Sequence, residues 1–256
     1  MLINPSFPAR LRGGSPVLAA WCGLPDPSTA GLLAREAFDA VVLDMQHGSI
    51  DLAAVLKAVP LIAAAGKPAL VRISVGDFAN GSRFLDAGFS GVIAPMINTI
   101  EDARQLAGFT KFPSVGERSW GPHGALALSG LQAGEYFQKA NDLTVSFAMV
   151  ETRESLNILD EILAVPGIDG VFIGPSDLSI ALSQGRELNP ASAEVEKALD
   201  HVLSRARAAN KFAGVYAVSG ARAAELTRKG FHLISVASDT ALLKAGAQAA
   251  LAAARG

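Results

Sequence analysis

With 256 residues, half of them hydrophobic but only 6% aromatic, the chain can bury one large core built mainly from Ala, Val, Leu and Ile. Its 22 Lys and Arg stand against 24 Asp and Glu without a basic run, which excludes a nucleic-acid partner. No stretch approaches the roughly 18 uninterrupted apolar residues of a membrane span, and residues 1–14, broken by Asn4, Pro5 and Pro8, do not form a secretory signal, so a cytoplasmic protein is expected.

Along the chain, short β-rich runs alternate with helical stretches. Strands are predicted over 17–21, 40–44, 69–73, 91–94, 144–150, 170–173, 213–216 and 233–236, each followed by a helix. The lone cysteine, Cys22, lies in apolar surroundings and is expected to be a buried thiol. Helix entries are signalled by Pro27 with Ser28, by Asp77, and by Ser219 with Gly220. Residues 110–130 and 183–189 are longer than ordinary connections, and loops of that length in a compact barrel are often functional; the second leads into a long helix over 190–210. Glycines at 88–91 and 167–170 precede strands and read as tight turns. The Ala-rich end, 240–256, forms either the last barrel helix or a helix packed on a neighbouring subunit. Eight such beats predict a (β/α)8 TIM barrel, with 1–256 as a single domain.

In such a barrel the strand C-terminal ends and the loops after them converge on one face, where the active site lies. The polar residues delivered there are Asp44, Gln46 and His47 after strand 2, Arg72 on strand 3, Glu151 after strand 5, Gly174-Pro175-Ser176-Asp177 after strand 6, Ser219 after strand 7, and Ser238-Asp239 after strand 8. Charges beside buried strands are costly unless paired or bound to metal. Asp239 is expected to cap the last helix. Lys67 and Lys211 fall at strand N-termini, the wrong face for a Schiff base, and no Gly-x-Ser-x-Gly elbow is present. Glu151 and Asp177, without His or Cys, make a hard oxygen pair suited to Mg2+ or Mn2+, with water and substrate completing the shell. His123 is placed in a loop with Arg118 and Trp120, and His201 and His232 are read as structural.

The segments Leu43-Asp44-Met45-Gln46-His47-Gly48, Leu70-Val71-Arg72, Val92-Ile93-Ala94-Pro95-Met96, Gly116-Glu117-Arg118-Ser119, Glu151-Thr152-Arg153 and Ile173-Gly174-Pro175-Ser176-Asp177-Leu178 resemble those of the HpcH/HpaI aldolase family of metal-dependent pyruvate aldolases. The similarity runs from about residue 23 to 243. It implies a barrel of the phosphoenolpyruvate/pyruvate type, Glu151 and Asp177 as ligands to Mg2+, Mn2+ or Co2+, and Arg72 facing the keto oxygen. It also implies His47 with Asp44 as an acid/base dyad, the backbone after Gly174 (Gly174, Pro175, Ser176) as the carboxylate binder, and Trp21 with residues 216–219 as the aldehyde pocket. Partners implied are pyruvate, a 4-hydroxy-2-oxo acid and an aldehyde, in a homotrimer or homohexamer whose C-terminal helix packs on a neighbour. Met149 and Gln46 stand where the family often has glutamine and glutamate. The expected reaction is reversible cleavage of a 4-hydroxy-2-oxo acid through a pyruvate enolate, with Asp44 fixing the His47 tautomer. The alternatives are a citryl- or malyl-type CoA-ester lyase and a non-catalytic keto-acid-binding barrel.

Overall fold

A computed structural model describes residues 6–256; Asn4 and Pro5 lie outside the described residues. Eight parallel strands close into a barrel in chain order: β1 Val17–Cys22, β2 Ala40–Asp44, β3 Ala69–Arg72, β4 Gly91–Ala94, β5 Val145–Val150, β6 Gly170–Ile173, β7 Phe212–Ala217 and β8 Leu233–Ser238. Each matches its predicted run to within about two residues. Among the described residues, no helix is long and apolar enough to cross a membrane.

Strand side chains alternate with a period of two, and this splits the core into two layers. Leu18, Ala20, Val41, Leu43, Val71, Ala148, Val150, Val171 and Ile173 face outward into the layer shared with the helices. Their neighbours Val17, Ala19, Trp21, Val42, Leu70, Phe147, Met149 and Phe172 fill the barrel interior. Counting on in steps of two carries the interior face to Asp44, Arg72, Glu151 and Gly174, so the interior that is apolar for most of its length ends in ionisable groups at the strand C-termini.

The N-terminal end is closed by a short helix, Phe7–Arg12, whose Phe7 and Leu11 insert into the interior cluster. At only six residues it carries too little periodicity to be signalled by the sequence. The lysines at this end are spent on carbonyls: Lys67 Nζ donates to Phe38 O, and Lys211 Nζ donates to Ile168 O at 2.6 Å. Lys111, 2% exposed, donates to Asn141 O and Thr144 O at 3.0 Å each and pairs with Asp169 at 2.7 Å.

The long 110–130 connection joins the helix Ile100–Thr110 to β5 and therefore lies at this same end, away from the strand C-termini. It contains a helix, His123–Ser129, led by an exposed His123, and a buried Arg118 that donates to Asp86 Oδ1 at 2.7 Å and rests on the Phe112 ring. His123, Arg118 and Trp120 are thus no part of this chain's own strand-end pocket. The second long connection leads through the Ser192 cap into the helix Ala193–Ala208, shorter at both ends than predicted. The final helix, Asp239–Arg255, buries only Asp239 against its own chain and leaves Leu243 and Leu251 exposed.

Candidate active site

Asp44 and Arg72 are register partners across β2 and β3, so their side chains emerge side by side at the barrel mouth. They form a two-pronged pair: Arg72 Nε donates to Asp44 Oδ1 at 2.9 Å and Nη2 to Oδ2 at 2.7 Å. Both are buried. Burial alone pushes the Asp44 carboxyl up, but the hydrogen bond and charge of Arg72, with the Trp21 N–H, outweigh it and hold the carboxyl below its ordinary range. Trp21 Nε1 donates to Asp44 Oδ2 at 3.1 Å, and the Arg72 guanidinium lies 4.9 Å from the Trp21 ring centroid. One indole thus anchors the carboxylate by its edge and the cation by its face.

This geometry corrects the expectation that Asp44 fixes the His47 tautomer. Asp44 accepts from the backbone N–H groups of Gln46 at 3.0 Å and His47 at 3.3 Å. Its remaining capacity is taken by Arg72 and Trp21, and among the described residues it makes no hydrogen bond with the imidazole. Asp44 therefore orders the loop that carries His47, while the exposed ring reaches the cavity. The sequence spacing of three between the two residues holds for their backbones, whereas the carboxylate is claimed by the charge next door on β3.

Glu151 follows β5 and is 2% exposed. Its Oε1 accepts the Met96 N–H at 2.7 Å; Met96 adopts a left-handed backbone, φ 54°, which sequence reasoning did not single out. The other oxygen, Oε2, is buried without a hydrogen-bond partner. A Cβ at position 174 would lie 2.6 Å from that oxygen, so Gly174 is what leaves room beside it. Burial, with the Asp177 charge adding to it, pushes the Glu151 carboxyl up to about 7 against the opposing Met96 N–H and Arg72 charge. A buried carboxylate with one satisfied oxygen and one orphan is expensive as it stands.

Asp177 is exposed on the first turn of the helix Pro175–Leu182, which Gly174 and Pro175 begin. The first intrahelical bond here is from Leu178 N to Gly174 O. The N–H groups of Ser176 and Asp177 precede it and are available to an anion.

Trp21, Asp44, His47, Arg72, Gly174, Pro175, Ser176 and Asp177 all line one cavity of about 350 Å3, with Met149, Phe172 and Tyr216 as its apolar walls. Trp21 lies 5.8 Å from Phe172 and 5.3 Å from Tyr216, centroid to centroid. Glu151 sits buried beside this cavity. Among the described residues, no group of three or more His, Cys, Asp or Glu converges as a metal cage.

Asp239 departs from its expected capping role. Ser238 is the N-cap, its hydroxyl accepting from Ala241 N. Asp239 Oδ2 instead accepts from Gly23 N at 2.9 Å and Leu24 N at 2.8 Å, sewing the exit of β8 to the loop after β1. Ser219 likewise serves as the N-cap of the helix Gly220–Lys229, while Tyr216 on the preceding strand faces the cavity.

Comparisons with known proteins bear on the family of the chain. The family model described as HpcH/HpaI aldolase/citrate lyase matches residues 18–245. A hydroxypyruvate/pyruvate aldolase of Rhizorhabdus wittichii is 42% identical, covering 94% of this chain and 95% of that protein. A 4-hydroxy-2-oxo-heptane-1,7-dioate aldolase of Salmonella dublin is 34% identical over 95% of this chain and 92% of its own length. The crystal structure of an HpcH/HpaI aldolase/citrate lyase family protein from Burkholderia cenocepacia superposes with a TM-score of 0.86 at 30% identity, covering 97% of this chain and 98% of that one. A (β/α)8 barrel whose mouth gathers these residues, matched over nearly its whole length, belongs to the HpcH/HpaI aldolase/citrate lyase family.

Proposed function

We propose that this chain is a metal-dependent aldolase that reversibly cleaves 4-hydroxy-2-oxo acids to pyruvate and an aldehyde through a pyruvate enolate. The observation that carries the reading is the buried Glu151, with an orphan oxygen kept open by Gly174, next to a locked Arg72. The donor set fits a hard divalent cation such as Mg2+, Mn2+ or Co2+: two carboxylates, no nitrogen or sulfur, and an oxygen without a partner. Glu151 and Asp177 would hold it, and when bound it supplies positive charge beside the substrate oxygens.

The chain's own groups account for the rest. The N–H groups at the start of the helix Pro175–Leu182 receive the substrate carboxylate. Arg72, held by Asp44, keeps Nη1 free of other hydrogen bonds among the described residues and stabilises the negative charge that collects on the keto oxygen as the C3–C4 bond breaks. His47 moves the proton of the C4 hydroxyl during cleavage, an imidazole being able both to accept and to donate a proton. Trp21, Phe172 and Tyr216 exclude water from the enolate and receive the aldehyde. The projecting helix Asp239–Arg255, whose apolar residues find no cover on their own chain, packs on a neighbouring copy in a homotrimer or homohexamer.

The test is exchange of pyruvate methyl protons with solvent deuterium, followed by NMR without any aldehyde. Exchange should require a divalent ion, stop on chelation and return on adding Mg2+, Mn2+ or Co2+. Full exchange in excess chelator, or borohydride trapping of an enzyme–pyruvate adduct, would overturn the reading. A keto-acid sensor would bind pyruvate without releasing it from a 4-hydroxy-2-oxo acid, and a CoA-ester lyase would ignore the free acid.

A further inference from the structure

Beyond Tyr216 the site cavity has a neighbour. A second cavity of about 290 Å3 shares Pro175, Ser176 and Tyr216 with the first and extends between Pro190, Val218, Ser219, Arg222 and Glu225. It lies at the same barrel mouth, on the side away from Asp44 and Arg72, where the part of a substrate remote from the keto acid would run.

The cations along this path already have carboxylate partners. Arg72 is the only Lys or Arg lining the first cavity, and both of its engaged nitrogens serve Asp44. Arg222 is the only one lining the second. It donates to Glu225 Oε2 at 2.8 Å and to Glu196. Lys229 behind it pairs with Glu196 at 3.2 Å and Asp200 at 2.6 Å. Of these only Arg222 and Glu225 line the cavity, and with the pairs behind them three carboxylates accompany two cations. A carboxylate at the far end of a substrate would enter a region of excess negative charge and displace an existing pair, whereas hydroxyl groups would meet Ser176, Ser219 and Glu225 at no such cost.

Resting on the aldolase reading of the site, we infer that the second cavity is a distal subsite for uncharged, hydroxylated aldehydes and that the Glu196–Arg222–Glu225 cluster discriminates against aldehydes ending in a carboxylate. The test uses the full-length, metal-loaded enzyme adding pyruvate to three aldehydes: erythrose and succinate semialdehyde, both of four carbons, and two-carbon glycolaldehyde. Wild type should favour erythrose over the semialdehyde by about tenfold or more in kcat/KM. Glu196→Gln/Glu225→Gln frees the guanidinium for a bidentate carboxylate contact and should raise kcat/KM for the semialdehyde about tenfold, with pyruvate proton exchange unchanged. Ala191→Trp, which places a bulky ring in the lining of the second cavity, should lower kcat/KM for erythrose about tenfold and leave glycolaldehyde within about twofold.

A wild-type enzyme that uses the semialdehyde as well as erythrose overturns the charge assignment. Equal effects of Ala191→Trp on the two hydroxyaldehydes overturn the subsite. The wild-type ratio needs no variant, and Glu225→Gln alone, which removes a half-exposed partner, serves if the double substitution fails to fold. Loss of pyruvate exchange in the wild type itself would instead sink the aldolase reading, and this inference with it.

Discussion

The two ends of the barrel treat buried charge in opposite ways. At the N-terminal end, Lys111 is surrounded by two carbonyls and Asp169, Asp169 also accepts from Ser146 N, and His232 Nδ1 accepts from Ala213 N. Arg118 is the exception, with Nε and Nη1 unpartnered while its guanidinium rests on Phe112. At the C-terminal end a carboxylate with an orphan oxygen is kept beneath the cavity wall, and Gly174 holds the space around it open. Arg118 apart, the fold satisfies its buried charge at one end and accepts an orphan carboxylate oxygen at the other. That asymmetry marks one end as scaffold and the other as site, because an orphan acceptor costs free energy until something binds it.

Exchanging the two kinds of charge should separate activity from stability. Glu151→Gln is expected to lower turnover by about a hundredfold to a thousandfold, while calorimetry shows weakened metal binding. The same variant should leave the metal-free protein as stable as wild type or more so at pH 8. The sign follows from the raised carboxyl: with a folded value of about 7 above the ordinary 4.5, the native state binds the extra proton. Its stability is therefore reduced progressively as pH rises from about 4.5 to 7, and glutamine escapes that penalty. Lys111→Met should do the reverse, removing about 3 kcal/mol of stability in urea titrations while leaving kcat within about twofold where the protein is still folded. Loss of stability in Glu151→Gln, or of activity in folded Lys111→Met, would erase the division between the ends.

A finer test concerns how the site spends its own ion pair. Asp44→Asn and Arg72→Lys should each slow pyruvate proton exchange by about a hundredfold. Because each acts through the other, the double variant should be little worse than the worse single one, a coupling of at least about 1 kcal/mol. Additive effects would mean that Asp44 serves some group other than Arg72.

The smallest effect lies at the scaffold end. Burial, with the Arg207 charge adding to it, holds His232 below its ordinary value. The folded state thus binds fewer protons there, and stability falls as pH drops below about 6.5 towards the lowered folded value. His232→Asn should flatten the dependence of Tm on pH in that window; an unchanged slope would remove His232 from this account.

The alternation of β-rich runs with helical stretches was legible in the sequence, and with it the barrel and the end at which polar groups collect. What sequence could not supply was pairing. Asp44 is 28 residues from Arg72 and three from His47, so chain proximity suggested the histidine; register across β2 and β3 decided for the arginine. Asp239 stood one residue into a helix and resembled a cap, yet its Oδ2 accepts from groups 215 and 216 residues away. The 110–130 segment looked functional by length, but length does not say which end of the barrel a connection crosses. Met96 serves through its backbone N–H, which no side-chain pattern announces.

The stitch between β8 and the loop after β1 sets an order of events. Trp21, which braces both Asp44 and Arg72, lies on the first strand, in a register shifted so that it pairs with Ser238 of the last. Such contacts form only when the two ends of the chain have met, the slowest kind of closure for a folding polypeptide. A chain still emerging from the ribosome can hold seven strands without a finished cavity. The cavity is therefore finished only when the eighth strand has joined the first.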